Sequence, residues 1–249
     1  MKISIITATY NSEEHILDTY YSIASQSFEN WEWLVTDDCS SDNTLDLLYA
    51  LAKKDSRVSI FSNSKNSGAA VSRNRSLSHV TGDFVAFIDS DDLWHKNKLS
   101  NQMSFMLENE IDFSFTAYEL IDENGHFLGK QVDSNQIGSF SYEDMLKKKA
   151  TLGCSTVMLN FSSFHDVSMP LIRTGQDYAT WLKLLKSGNR AYVYSEVMTK
   201  YRIRADSISR NKLGKAIRQW SIYRDIEKLN LIKAAYCYCF YVWRAIFRR

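Results

Sequence analysis

Phe84-Val85-Ala86-Phe87-Ile88-Asp89-Ser90-Asp91-Asp92-Leu93-Trp94 runs from five apolar residues straight into three carboxylates within four positions. The apolar half, rich in β-branched and aromatic side chains, reads as a buried strand. Carboxylates crowded at a strand end repel one another, a cost that a cation among them removes. Hard oxygen ligands favour Mg²⁺, Mn²⁺ or Ca²⁺ over zinc. The competing reading is a solvated acidic turn ahead of the next helix.

Upstream, strands and helices alternate. Lys2 to Ala8, Glu32 to Thr36 and Val58 to Phe61 read as strands. Thr9-Tyr10-Asn11-Ser12 turns into a helix carrying Ile16, Leu17, Tyr20, Tyr21 and Ala24, with Asn11 or Ser12 as its cap. Asp37 to Asp42 leads into a second helix, with Asp42 and Ser41 as capping residues, and Asn66-Ser67-Gly68 into a third. This alternation predicts an α/β fold, a mainly parallel sheet with helices on both faces. Ligands on such sheets bind beyond the carboxyl ends of the strands. Thr9-Tyr10-Asn11 and both acidic clusters sit at such ends.

Past Leu99 the pattern changes to an amphipathic helix, then strands over Phe113–Ile121 and Phe127–Val132 around a tight Asn124-Gly125 turn. Leu152–Leu159 is a further apolar run, and Tyr178, Trp181, Leu182 and Leu185 mark a helix after Gln176-Asp177. This second half reads as a lobe continuous with the first sheet. Trp94 and Trp181 read as core or wall.

The net charge of +1 over 249 residues conceals an asymmetry: residues 210–249 carry +8 and the preceding 209 carry −7. Four cysteines without zinc or secretory spacing fit a reducing cytosol. No basic-then-apolar leader opens the sequence, and no apolar run approaches the ~20 residues that span a bilayer. Glycine-rich phosphate loops and the G-x-S-x-G elbow are absent, which leaves a nucleotide held by carboxylates and a metal.

Ser4 to Asn11, Asp37 to Asp42, Gly68 to Asn74, Ile88 to Asp92 and Gln176 to Leu182 follow the order and spacing of family 2 glycosyltransferases, a resemblance covering about residues 3 to 210. Gly153 to Met158 and Tyr201-Arg202-Ile203-Arg204 are most similar to bacterial teichuronic-acid, capsule and O-antigen transferases. The resemblance implies a GT-A fold, a UDP-sugar donor, Mn²⁺ or Mg²⁺, and inversion at the sugar carbon. Carried onto this chain, it puts Asp38 on the uracil or ribose edge, with Thr9 and Tyr10 beside the base and Asn11 in the nucleotide-sugar site. Arg73 goes to the nucleotide or its phosphates, and Asp89 and Ser90 to the nucleotide-sugar. Asp91 becomes the first metal ligand, with Asp89 and Asp92 beside it, and Asp177 the general base. Glu196 and Asp206 are the next carboxylates for that role, and helix capping is Asp177's competing one.

Two departures from the family stand out. Gln176 replaces a glutamate beside the base, and Arg204 replaces a histidine, so a guanidinium that cannot ligate metal is aimed at the diphosphate instead. The expected organisation is a transferase domain over 1–209, with 1–99 binding nucleotide-sugar and 100–209 supplying acceptor contacts and base. A basic, aromatic helical tail follows over 210–249. Ala234 to Trp243, bracketed by Lys233 and Arg244, suits an interfacial helix on an anionic membrane, against packing on the core or on a second subunit. These readings predict a cytoplasmic enzyme, peripheral on the inner face of the membrane and compatible with an oligomer. Its acceptor would be lipid-linked or an oligosaccharide, and no nucleic-acid motif is present. A lipooligosaccharide core as acceptor, or a non-catalytic sugar-nucleotide-binding subunit, are the rival readings.

Overall fold

A computed structural model describes residues 1–204 and 212–247. Strands β1 (Ile3–Thr9), β2 (Trp31–Asp37), β3 (Val58–Ser62) and β4 (Phe84–Phe87) lie parallel, joined by α1 (Ile16–Ala24), α2 (Thr44–Ala52) and α3 (Ala69–Leu77). Helical crossovers are what parallel strands require. After β5 (Leu93–Trp94) and α4 (Lys98–Glu108) come β6 (Phe113–Ile121), β7 (Phe127–Val132), β8 (Ser139–Phe140) and α5 (Tyr142–Leu146). β9 (Val157–Asn160), α6 (Gln176–Lys186) and β10 (Ala191–Arg202) complete one ten-stranded sheet. Its order is β3-β2-β1-β4-β9-β6-β10-β5, with β7 on β6 and β8 on β10. β9 runs antiparallel to both β4 and β6, and so stitches the two halves together.

Alternation along the strands builds a core on each face. Ile3, Ile5, Trp33 and Ala86 pack with α1, α2 and α4, while Ile6, Leu34, Val85 and Phe87 pack with α3, α5 and α6. Trp94 and Trp181 are buried, as their wall reading requires. Lys98 is fully buried too, its ammonium 3.9 Å from the centre of the Trp94 ring.

Local expectations shift in three places. α1 starts at Ile16, and neither Asn11 nor Ser12 caps it with a side chain. Asn11 instead accepts a hydrogen bond from the Ser41 amide at 2.9 Å, and the Ser12 hydroxyl meets that of Ser90 at 2.8 Å. The Asn124-Gly125 turn is wider than a two-residue hairpin, because Asp122 accepts bonds from the amides of both Asn124 and His126. β10 escapes sequence reading because its pairing with β6 slips twice between Tyr194 and Thr199, which breaks the two-residue alternation.

The C-terminal segment folds back onto the domain. α7 (Lys212–Ser221) continues as a π-helical stretch, Ile222–Ile226, before α8 (Leu231–Phe247). Tyr223, Ala234 and Cys237 are fully buried, and the Tyr223 hydroxyl donates to the Leu146 carbonyl. The Glu227 carboxylate accepts from Tyr142 at 2.6 Å and from Lys186 at 3.0 Å. Only part of the tail is therefore available to a membrane. Arg210, Arg248 and Arg249 lie outside the described residues.

Candidate active site

The polar loops after β1, β2 and β4 meet at one edge of the sheet, where chain direction exposes strand ends. The Asp38 amide donates to the Thr9 carbonyl at 2.8 Å, which ties the first two loops together. Asn11 adopts a left-handed conformation at φ 47°, a position its residue type tolerates. Asp37 is a turn-former, bonded by the amide and hydroxyl of Ser40. Asp38 is buried, and its carboxylate accepts from Asn63 at 2.8 Å and from the amides of Ser67 at 2.9 Å and Gly68 at 2.6 Å. It therefore sets the loop that enters α3. Asp42 accepts from the Thr44 amide at 3.0 Å, supporting the start of α2.

A cavity of about 1090 Å³ opens beside these loops. Of the residues singled out in the sequence, Tyr10, Asn11, Arg73, Asp89, Asp91, Asp177 and Arg204 line it. Thr9, Asp38, Ser90 and Asp92 stand behind the wall. Arg73, almost wholly buried, donates to Asp89 at 2.5 Å. Burial, then the neighbouring Asp89, push the Asp91 carboxyl up to about 6 against the opposing pull of Arg204. Asp92 points the other way. Its carboxylate accepts from the Ser155 hydroxyl at 2.5 Å and the Arg202 amide at 2.9 Å, and burial followed by Asp91 raises its pKa well above the usual range.

Among the described residues, no three His, Cys, Asp or Glu side chains converge to form a metal cage. Asp89 and Asp91 alone of the acidic triplet face the cavity. Mg²⁺-like ions commonly take one or two carboxylates and complete their shell with substrate phosphates and water. The donor set fits such an ion: two hard carboxylate oxygens face the same cavity, and burial and then the neighbouring Asp89 disfavour a bare charge on Asp91 that a divalent cation would balance.

Asp177 enters from the far half of the chain, on the second residue of α6 after Gly175, which turns the backbone at φ 77°. It makes no side-chain capping bond among the described residues, while its place in the first turn of α6 also suits the helix dipole. Arg73 acts on both Asp177 and Asp89 electrostatically. Glu196 lies exposed on β10, away from the cavity wall, and Asp206 is outside the described residues.

Ser155, within the Gly153 to Met158 stretch, is buried behind the wall, where it donates to Asp92, accepts from the Asp89 amide at 3.0 Å, and accepts from the Trp94 indole at 2.7 Å through its carbonyl. Three wall residues carry no functional signal in the sequence. Arg173 precedes α6 on a loop, and Lys215 and Arg218 come from the tail. A helical arginine reads as solvated until packing shows what it faces.

Residues 4–167 match the model for Glycosyl transferase family 2. TuaG of Bacillus subtilis (strain 168), named for teichuronic acid biosynthesis, is 43% identical over 247 residues, which is 99% of this chain and 97% of TuaG. The Escherichia coli UDP-Glc:alpha-D-GlcNAc-diphosphoundecaprenol beta-1,3-glucosyltransferase WfgD is 38% identical over 235 residues, 94% of this chain and 90% of WfgD. The crystal structure of S. aureus TarS 1-349 in complex with UDP-GlcNAc superposes with a TM-score of 0.75 at 24% identity. That match covers 91% of this chain and 65% of the TarS chain, and it establishes the fold as GT-A.

Proposed function

The chain belongs to glycosyl transferase family 2, and from that premise we propose that it moves a hexose or hexose derivative from a UDP-sugar to a lipid-diphosphate-linked glycan, with inversion. The observation that carries this reading is that Asp89 and Asp91 share one cavity with Asp177, a carboxylate from the opposite half of the chain. In this reading residues 1–99 supply the nucleotide-sugar face and residues 100–209 the base. The acceptor class follows from the likeness to WfgD, whose name specifies a diphosphoundecaprenol substrate.

Asp91, with Asp89, would hold Mn²⁺ or Mg²⁺, and Asp92 serves instead to brace their loop. Such a cation, when bound, supplies Lewis-acid stabilisation to the departing nucleoside diphosphate. Tyr10 and Asn11 border the nucleotide, Thr9 and Asp38 shape its pocket from behind, and Ser90 is held by Ser12. Arg73 holds Asp89 and stabilises charge nearby, and Arg204 faces the phosphates. Asp177 takes the proton from the acceptor hydroxyl, on the side of the sugar opposite the leaving group.

The place of work in this reading is the inner face of the cell membrane. Among the described residues no helix is long and apolar enough to cross a bilayer. α8 nonetheless exposes Leu231, Ile232, Tyr236, Val242 and Trp243 on its outer side. An exposed aromatic and aliphatic face of this kind suits the interfacial region of a membrane, although Lys233 beside it pairs with Glu143 at 2.6 Å and Arg244 lines the cavity.

A screen of UDP-sugars and GDP-sugars against synthetic lipid-diphosphate monosaccharides and core oligosaccharides, with Mn²⁺ or chelator, tests the reaction. Transfer from a UDP-sugar to the lipid-diphosphate acceptor in Mn²⁺ is expected. Transfer only to core oligosaccharide, or none with any pair, overturns the reading.

A further inference from the structure

The cavity is lopsided in charge. Nine basic side chains line it against four carboxylates. Asp89 and Arg73 engage each other, Arg202 pairs with Asp18 outside the cavity, and Asp133 is held by the amides of Thr151 and Leu152, so positive charge remains in excess. A concave wall with excess positive charge concentrates anions. At about 1090 Å³ the cavity also slightly exceeds the usual range for one small-molecule ligand.

The excess is concentrated where the C-terminal segment closes the cavity. Arg218 lies against Gly175, its Cδ 3.0 Å and its Nε 3.3 Å from where a β-carbon would stand. That places the guanidinium beside the start of α6, two residues before Asp177. Arg173 approaches the entry of α3 in the same way, its Nη1 3.2 Å from the β-carbon position of Gly68. Lys215 lines the same wall, and burial and then Arg218 hold its pKa below the ordinary lysine value. Among the described residues none of these three cations has an ion-pair or hydrogen-bond partner. Gln219, buried on the same wall, directs its amide at the phenol oxygens of Tyr178 and Tyr223. Like charges gathered without counter-charge are unfavourable until an anion joins them.

We propose that Arg218 and Lys215 form a subsite for the diphosphate of the acceptor, separate from the carboxylates that face the donor. An arginine fork matches phosphate oxygens in pairs, and a neighbouring ammonium adds a point charge. The donor diphosphate belongs with the metal ligands Asp89 and Asp91. An anion bound beside Asp177 instead arrives with the molecule whose hydroxyl Asp177 deprotonates. This assignment rests on the acceptor class proposed above.

Farnesyl diphosphate titrated into the full chain, saturated with UDP and Mn²⁺, is the probe, with farnesol as the uncharged control. Expected results are binding of the diphosphate but not of farnesol, and at least tenfold weaker binding in Arg218→Gln. Lys215→Gln should weaken it several-fold, and Arg218→Lys should fall between wild type and Arg218→Gln. Arg218→Lys retains charge and stem, so it keeps the test open where Arg218→Gln lowers the melting temperature. UDP affinity in the Mn²⁺ complex should stay within twofold in each variant. No binding by wild type, equal binding of farnesol, or equal binding by all variants overturns the subsite. A parallel loss of UDP affinity assigns these cations to the donor and overturns the acceptor assignment. Because the readout needs no turnover, diphosphate binding without any sugar transfer overturns the reaction reading alone.

Discussion

Ser155 donates a 2.5 Å hydrogen bond to Asp92 while its oxygen accepts the Asp89 amide at 3.0 Å, so one hydroxyl fixes both ends of the acidic loop. Asp92 is buried, and removing a partner from a buried acceptor costs about 1–3 kcal/mol. Ser155→Ala should therefore lower the melting temperature by a few degrees and weaken UDP binding in Mn²⁺, as Asp91 loses its fixed position. Calorimetry with parallel UDP titration checks both. An unchanged melting temperature would mean the bond contributes nothing.

Asp91→Ala should abolish transfer and weaken UDP binding in Mn²⁺ with the fold intact, because the side chain faces the cavity and contributes little packing. Activity assays in metal and in chelator, with circular dichroism, test this. Full activity of the variant in chelator would remove Asp91 from the metal site.

Asp177→Asn keeps shape but cannot accept a proton. General-base assistance is worth ~10²–10⁴ in rate, so kcat should fall by about that factor while UDP affinity barely moves. A fall of less than about tenfold, at unchanged melting temperature, would place the base elsewhere.

The two sides of α8 should behave differently. Ile232→Ser and Tyr236→Ser alter exposed positions, and should reduce sedimentation with anionic vesicles at near-constant melting temperature. Deleting the chain from Leu231 onward strips Ala234 and Cys237 out of the core and should destabilise the whole domain. Vesicle binding that survives both serine variants would put the membrane contact on another surface.

Asp55 governs part of the acid response. Hydrogen bonds from Arg57, only partly offset by burial, hold its carboxyl at about 2. Its pKa is depressed by folding, so its contribution is fully present above the unfolded value of about 3.9. That contribution is lost as pH falls from there through 2. Asp55→Asn should therefore lose stability at pH 7 and show a shallower decline between about pH 4 and 2, read from urea melts across that range.

The sequence by itself determined the parallel half and the family. β1, β2 and β4 are buried along almost their whole length, so they appear as largely apolar runs, and the polar loops after them mark the site edge. Five short motifs in order carried the rest, because each is a short contiguous segment. The tertiary structure alone decided which of two adjacent carboxylates serves the cavity: Asp91 faces in, while Ser155 and the Arg202 amide hold Asp92 on the other side. It also decided that β10, irregular in its own residues, carries Arg202 and Arg204 to the wall, and that Arg218 comes to rest on Gly175. Periodicity and turn chemistry are local, so a sequence displays them. Which side chains meet depends on how distant segments pack, and that is set only when the sheet closes and the C-terminal segment folds onto it.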